Sequence, residues 1–247
     1  MRSGRSGFYR RRDGTERIWL APPDIEITTE DALRKAGLFP TDEQPIVDVE
    51  RLIQELGVRM DQHADLDAKV LGLTEFYIDG PPKILINRDL TGAIDDDETP
   101  TGVRGRWRAT MAHECAHVLF HRVLFEVAEN QETLFRVEEQ GEPRRLMRCL
   151  KKNVLFRGGG NDWREVQANM GMAALLMPQA LFRRLALAMA ERQGAAPETL
   201  SVGSAAATSL AAGMATLFDV SRQAAGIRLE TLGLLSPAAQ QWLNSSA

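Results

Sequence analysis

The chain has 247 residues, 44% of them hydrophobic and 26% charged, with a formal net charge of −4. That is enough apolar material for a full core, which excludes disorder throughout, and an acidic balance argues against a nucleic-acid backbone as the main partner. Two cysteines in a chain this long exclude a disulfide scaffold and point to a reducing, cytoplasmic setting, and no apolar run is long enough for a membrane span.

Residues 1–17 carry six arginines against Asp13 and Glu16, which reads as a solvated tail rather than a nucleic-acid-binding arm. Residues 1–45 as a whole read as an irregular N-terminal extension, with a short helical pattern at 29–36. From Val47 the pattern tightens. Val49, Leu52, Ile53 and Leu56 share one helical face, and Gly57 is a natural stop. Three strand-like runs follow at 58–63, 70–79 and 83–89. The Asp79-Gly80-Pro81-Pro82 turn joins the last two as an antiparallel hairpin. Residues 91–105 read as a surface loop whose acidic run, Asp95 to Glu98, lacks the spacing of a calcium loop.

The densest chemistry comes next. Three of the four histidines fall within residues 106–121, and no Gly or Pro interrupts 106–125, so the segment reads as helix. His113 and His117 stand four apart, which puts both imidazoles on one face about 6 Å apart along the axis. Glu114 lies about 100° further round, where a carboxylate reaches a metal-activated water without ligating. His113-Glu114-Cys115-Ala116-His117 is the H-E-x-x-H zinc-hydrolase pattern. His121 lies about 12 Å along the axis from His113, too far to share one ion with both, so packing or an outer hydrogen-bonding role suits it. The zincin subclass with a third histidine six residues after the second is excluded, because position 123 is Val. Cys115 points about 160° away from His117 and reads as core.

The helix should run on to about residue 129. An excursion over 126–162 follows, acidic in its first half and basic in its second; a lid beside a cleft and a solvated loop both fit it. Asp162 is suited to cap a helix that Pro178 ends. Within it Glu165 completes a His₂Glu ligand set, and Asn169, one turn on, is placed to hydrogen-bond a ligand. Zinc so held would activate water, with Glu114 as general base. Tyr77 is the candidate for a second oxyanion donor. Further helices are expected at 179–193, 205–217 and 221–232. The last two form a helix-turn-helix pattern around Asp219-Val220-Ser221, but Arg222 and Arg228 against Glu230 are thin for phosphate neutralisation, so a structural or substrate-docking pair is expected.

From Val47 to Leu235 the chain resembles the ImmA/IrrE metallo-endopeptidases. The likeness rests on Leu71-Gly72-Leu73, Lys83 to Asn87, the H-E-x-x-H pattern, Glu165-Val166-Gln167-Ala168-Asn169 running into Leu175-Leu176-Met177-Pro178, and Phe218 to Leu229. It implies a zinc-dependent cytoplasmic protease with His113, His117 and Glu165 as ligands and Glu114 as base. Its substrate would be a helix-turn-helix repressor or antitoxin, cut in stress response or mobile-element control. Three departures stand out: Cys115 in place of an aliphatic residue, Gly171 in place of the usual Phe, and a longer connection from His117 to Glu165. The expected architecture is α+β, a small antiparallel or mixed sheet packed on a zincin-like (gluzincin-like) helical core. Residues 46–200 would form the peptidase domain, interrupted by 126–162, and 201–247 a C-terminal helix-turn-helix-like portion. The reading from another class is a non-proteolytic regulator or repressor-binding module with a structural metal.

Overall fold

The computed structural model describes residues 7–10, 16–77, 80–94, 101–132, 145–150, 163–195 and 200–236. The N-terminal part is more regular than the expected extension and tail. Strands β1 (Gly7–Arg10) and β2 (Glu16–Trp19) pair antiparallel, and helix α1 (Pro22–Lys35) follows. Its two prolines sit in the first turn, where a missing N–H breaks no helical bond. Ile25, Thr29 and Leu33, spaced by four, are its buried positions. Thr29 enters the core because its hydroxyl bonds back to the carbonyls of Ile25 and Glu26, at 3.0 and 2.9 Å. A threonine in that stripe, among acidic neighbours, is why apolar periodicity alone found only the end of the helix.

Helix α2 (Val49–Glu55) is capped by Asp48, whose Oδ1 accepts from the Arg51 amide, and it ends at Gly57 with φ +68°. Strands β3 (Arg59–Ala64), β4 (Val70–Phe76) and β5 (Lys83–Asn87) come next. β4 and β5 pair antiparallel as expected, while β3 runs parallel to β5 on its other side. Asn87 pins the β3–β4 connection: its side-chain amide donates to the carbonyls of Val70, Leu66 and Asp67. Residues 91–105 are not loop throughout. Helix α3 (Arg88–Gly92) enters them, and helix α4 (Thr101–Glu132) begins before their end. The acidic run at 95–98 lies outside the described residues.

The expected excursion also contains regular structure. α4 continues into it as far as Glu132, and strand β6 (Arg145–Leu150) pairs antiparallel with β4, giving a mixed sheet of order β3-β5-β4-β6. Residues 133–144 and 151–162, which carry most of the segment expected as a lid or a solvated loop, lie outside the described residues. Among the described residues four helices follow: α5 (Trp163–Leu176), α6 (Gln179–Arg192), α7 (Ala205–Phe218) and α8 (Arg222–Thr231). Serines cap the last two, Ser204 to the Ala207 amide and Ser221 to the Ala224 amide. The class is α+β. Among the described residues no single helix is long and apolar enough to cross a membrane; α5 and α6 pass such a test only as a pair, bent by 59°.

One hydrophobic cluster runs from Leu33 through α2, the sheet, α4, α5 and α6 to Leu234, so the C-terminal helices share the core of the rest. Two buried arginines lace it together. Arg228 of α8 meets both carboxylate oxygens of Glu26 in α1, at 2.6 and 2.8 Å, and donates to the Met177 carbonyl at the end of α5. Arg108 of α4 donates to the carbonyls of Val47 and Asp219. Arg228 was one of the two cations weighed for phosphate contact; it is only 4% exposed and committed inside the fold. Replacing it by Met leaves Glu26 and the Met177 carbonyl without that partner. Urea unfolding of Arg228→Met should show a loss of about 3 kcal/mol.

Candidate metal centre

Two helices build the site, and a glycine lets them meet. α4 presents Ala116 and Phe120 to α5, and α5 presents Gly171. A Cβ on Gly171 would lie 2.4 Å from a Phe120 ring carbon and 2.8 Å from the Ala116 Cβ. No larger residue fits without moving a helix.

That approach brings Glu165, at the start of α5, onto the histidine face of α4. His113 Nε2 and His117 Nε2 are 3.1 Å apart, and each lies 3.3 Å from a different oxygen of Glu165. A tetrahedral ion with bonds of 2.0–2.1 Å holds its ligand atoms about 3.3 Å from one another, so the triangle has the right size. The chemistry of the donors agrees. Asn169 Oδ1, 3.0 Å from His113 Nδ1, accepts, so the neutral ring carries its hydrogen on Nδ1 and turns a lone pair inward from Nε2. That lone pair converges with carboxylate oxygens and the second imidazole. Such a set repels itself until a cation stands between its members. These three residues can hold a metal ion.

Electrostatics prepares the ligands. Burial pushes the His117 imidazole down to about 4 from its ordinary 6.5, outweighing the Glu165 hydrogen bond that works the other way. It is therefore neutral at pH 7, as a ligand must be. Burial alone would raise the Glu165 carboxyl; imidazoles that carry a hydrogen on Nε2 outweigh it by hydrogen bonding and charge and hold the group well below the usual carboxylate range, and a cation takes that place when both Nε2 atoms turn lone pairs inward. Glu165 keeps 15% of its side chain exposed while His113 and His117 have none, so solvent meets the centre at Glu165.

Glu114 is fully buried between α4 and β4. The Thr74 hydroxyl donates to its Oε2 at 2.5 Å. Two residues along the same strand face, Gly72 leaves the space for it: a Cβ there would lie 2.8 Å from Glu114 Oε1 and 2.8 Å from the Thr110 methyl. The sequence assigns neither residue a role in the site. The signal was present, since a glycine inside a strand marks a close approach, but nothing in the sequence says what approaches.

The remaining candidates sort by geometry. Asn169 holds His113 as expected. His121 is buried with its Nδ1 3.0 Å from His117 Nδ1 and its Nε2 3.3 Å from Gln167 Oε1, so it touches a ligand without joining the triangle. Gln167 was missed because helical spacing sets it about 200° round from Glu165. Cys115 is core: burial pushes its thiol up to about 12. Tyr77, the expected oxyanion donor, sits against Glu75 and Arg59. Its hydroxyl donates to Glu75, and the Arg59 guanidinium lies 4.9 Å over its ring. Glu75 alternates with Thr74 along β4, so this contact falls on the face away from Glu114.

No protein-family model and no curated protein matches this chain. The site therefore stands on its own geometry.

Two measurements follow from that geometry. His113→Ala and Glu165→Ala should each reduce metal content from one ion per chain to well below one, read by atomic emission after dialysis. In metal-free protein the unfolded state binds more protons than the folded one between pH 6.5 and about 4, because His117 is depressed when folded. Its contribution is complete above about pH 6.5 and is lost as pH falls toward 4, on the order of 3 kcal/mol in all. Urea midpoints should fall over that window, and His117→Gln should flatten the slope.

Proposed function

We propose that this chain is a zinc-dependent endopeptidase of the ImmA/IrrE type that hydrolyses a peptide bond in a protein substrate, with a helix-turn-helix repressor or antitoxin as the expected target. The observation that carries the reading is the donor triangle of His113, His117 and Glu165 together with a buried carboxylate on the same helix, Glu114, that lies outside the triangle and accepts from Thr74. A structural site needs no such carboxylate; a hydrolytic one does. A small mixed sheet packed against the helix that carries the motif also suits a zincin-like core.

His113, His117 and Glu165 would hold the ion, which when bound supplies Lewis acidity toward water and the scissile carbonyl. The protein does the rest. Glu114 takes a proton from the attacking water and returns it to the leaving amine. Thr74 holds that carboxylate in one orientation through both transfers, and Gly72 keeps β4 from displacing it. Asn169 fixes the His113 ring, and the burial of both histidines keeps bulk water from competing.

The complete burial of His113 and His117 is also what a structural metal in a non-proteolytic regulator would show, and one substitution separates the readings. Glu114→Gln should retain one metal ion per chain and lower cleavage of a trapped partner protein by about 10²–10⁴-fold. Cleavage that survives this change would refute the peptidase. Gly72→Ala should keep the metal and lose activity, because its Cβ displaces Glu114 and leaves the ligands in place.

A further inference from the structure

We infer that Gln167 and His121 form a relay that decides which nitrogen of His117 faces the metal centre, which makes Gln167 a positioning residue of the site; the inference rests on the metal-site reading above. His117 Nδ1 and His121 Nδ1 face each other at 3.0 Å with both rings fully buried. When both rings are neutral, rings so placed share one hydrogen. Both cannot carry it and both cannot lack it. If His117 carries it, His117 Nε2 turns a lone pair toward His113 and Glu165. If His121 carries it, His117 Nε2 holds a hydrogen inside the centre and the site is closed to a metal.

The far end of His121 settles which arrangement holds. Its Nε2 lies 3.3 Å from Gln167 Oε1, an oxygen that can only accept. His121 must then donate from Nε2, which leaves its Nδ1 as an acceptor and hands the shared hydrogen to His117. The glutamine, 1% exposed, thereby sets a tautomer two rings away. Trp163 packs edge-on against the His121 ring at 5.5 Å, between centroids, and Phe120 at 6.2 Å, which restrict its turning. His113 receives the same treatment directly from Asn169. One helix, α5, thus supplies the third ligand through Glu165 and the outer partner of each histidine through Asn169 and Gln167. The second partner acts through His121 because α4 carries a histidine one turn beyond the pair. This gives a specific task to the outer hydrogen-bonding role that the spacing of His121 suggests.

The test is metal affinity, measured with Zn²⁺ by chelator competition and with Co²⁺ by its visible spectrum, on the full chain. Gln167→Met removes the acceptor at nearly constant volume and should weaken binding by about 10–100-fold. Gln167→Glu restores an acceptor and should bind within about threefold of the parent, with the parent's Co²⁺ spectrum. Long-range ¹H–¹⁵N spectra of ¹⁵N-histidine protein, which has four histidines in all, should show the hydrogen on Nδ1 of His117 and on Nε2 of His121. Equal affinities for parent and Gln167→Met would overturn the relay while leaving the metal site standing. So would equal losses in Gln167→Met and Gln167→Glu, which would reduce Gln167 to packing. A parent that binds less than about one ion per chain would overturn the metal reading itself.

Discussion

The nearness of α5 to α4 is the constraint on which the site depends. Helices separated by ordinary side chains sit 8–10 Å apart. Here Gly171 lies against Ala116 and the edge of Phe120, with no room for a Cβ. A glycine inside a helix costs about 1 kcal/mol relative to alanine. Burying Phe120, which is 2% exposed, returns more than that, about 2 kcal/mol or so. Because the backbones are close, three polar side chains of α5 reach across to three histidines of α4, and short contacts replace what a wider spacing would leave to water.

The site is a buried polar network, and such networks are stable only when every member has its partner. Its charges are few: neutral His117 and an ionised Glu165. Glu114 adds a carboxylate that the fold encloses from two sides, α4 from which it projects and β4 which supplies Thr74 and the gap at Gly72. The sheet is therefore part of the site and not merely its support. β6 is joined to that same strand, with Met147 opposite Thr74 and Cys149 opposite Gly72 in the backbone register, so the segment between the two ligand helices returns to the strand that orients Glu114.

Further from the centre the frame is held by arginines. Arg228 joins α8, α1 and the end of α5, and Arg108 joins α4 to Val47 and to Asp219, a residue in the left-handed region at φ 51° that also accepts from Arg104. Burying a guanidinium costs several kcal/mol, offset where carbonyls and carboxylates take up its hydrogens. These contacts link segments from about fifty to about two hundred residues apart. They explain why the helix-turn-helix pattern at α7 and α8 packs as part of the body, with its most buried arginine directed inward.

How much could be read without coordinates follows from the range of each interaction. The metal-ligand face of α4, the proline bound of α5, the β4–β5 hairpin, and helices α6, α7 and α8 are all local: a period of 3.6 or 2, a glycine or a proline declares each of them within a few residues. His113, Glu114 and His117 belong to that class, and Asn169 and Glu165 follow from one more turn of the same spacing. What could not be read is contact between distant segments. Helix α1 was obscured by a threonine that satisfies itself, and β6 by charges whose partner strand lies some seventy residues earlier. Gly72, Thr74 and Gln167 acquire their roles only from what α4 brings against them, and the alternation of β4 sets the Tyr77–Glu75 contact on the face away from Glu114. Local pattern names the chemistry available to each helix; the close packing of α4 against α5 and β4, which no local pattern encodes, decides which of those groups meet.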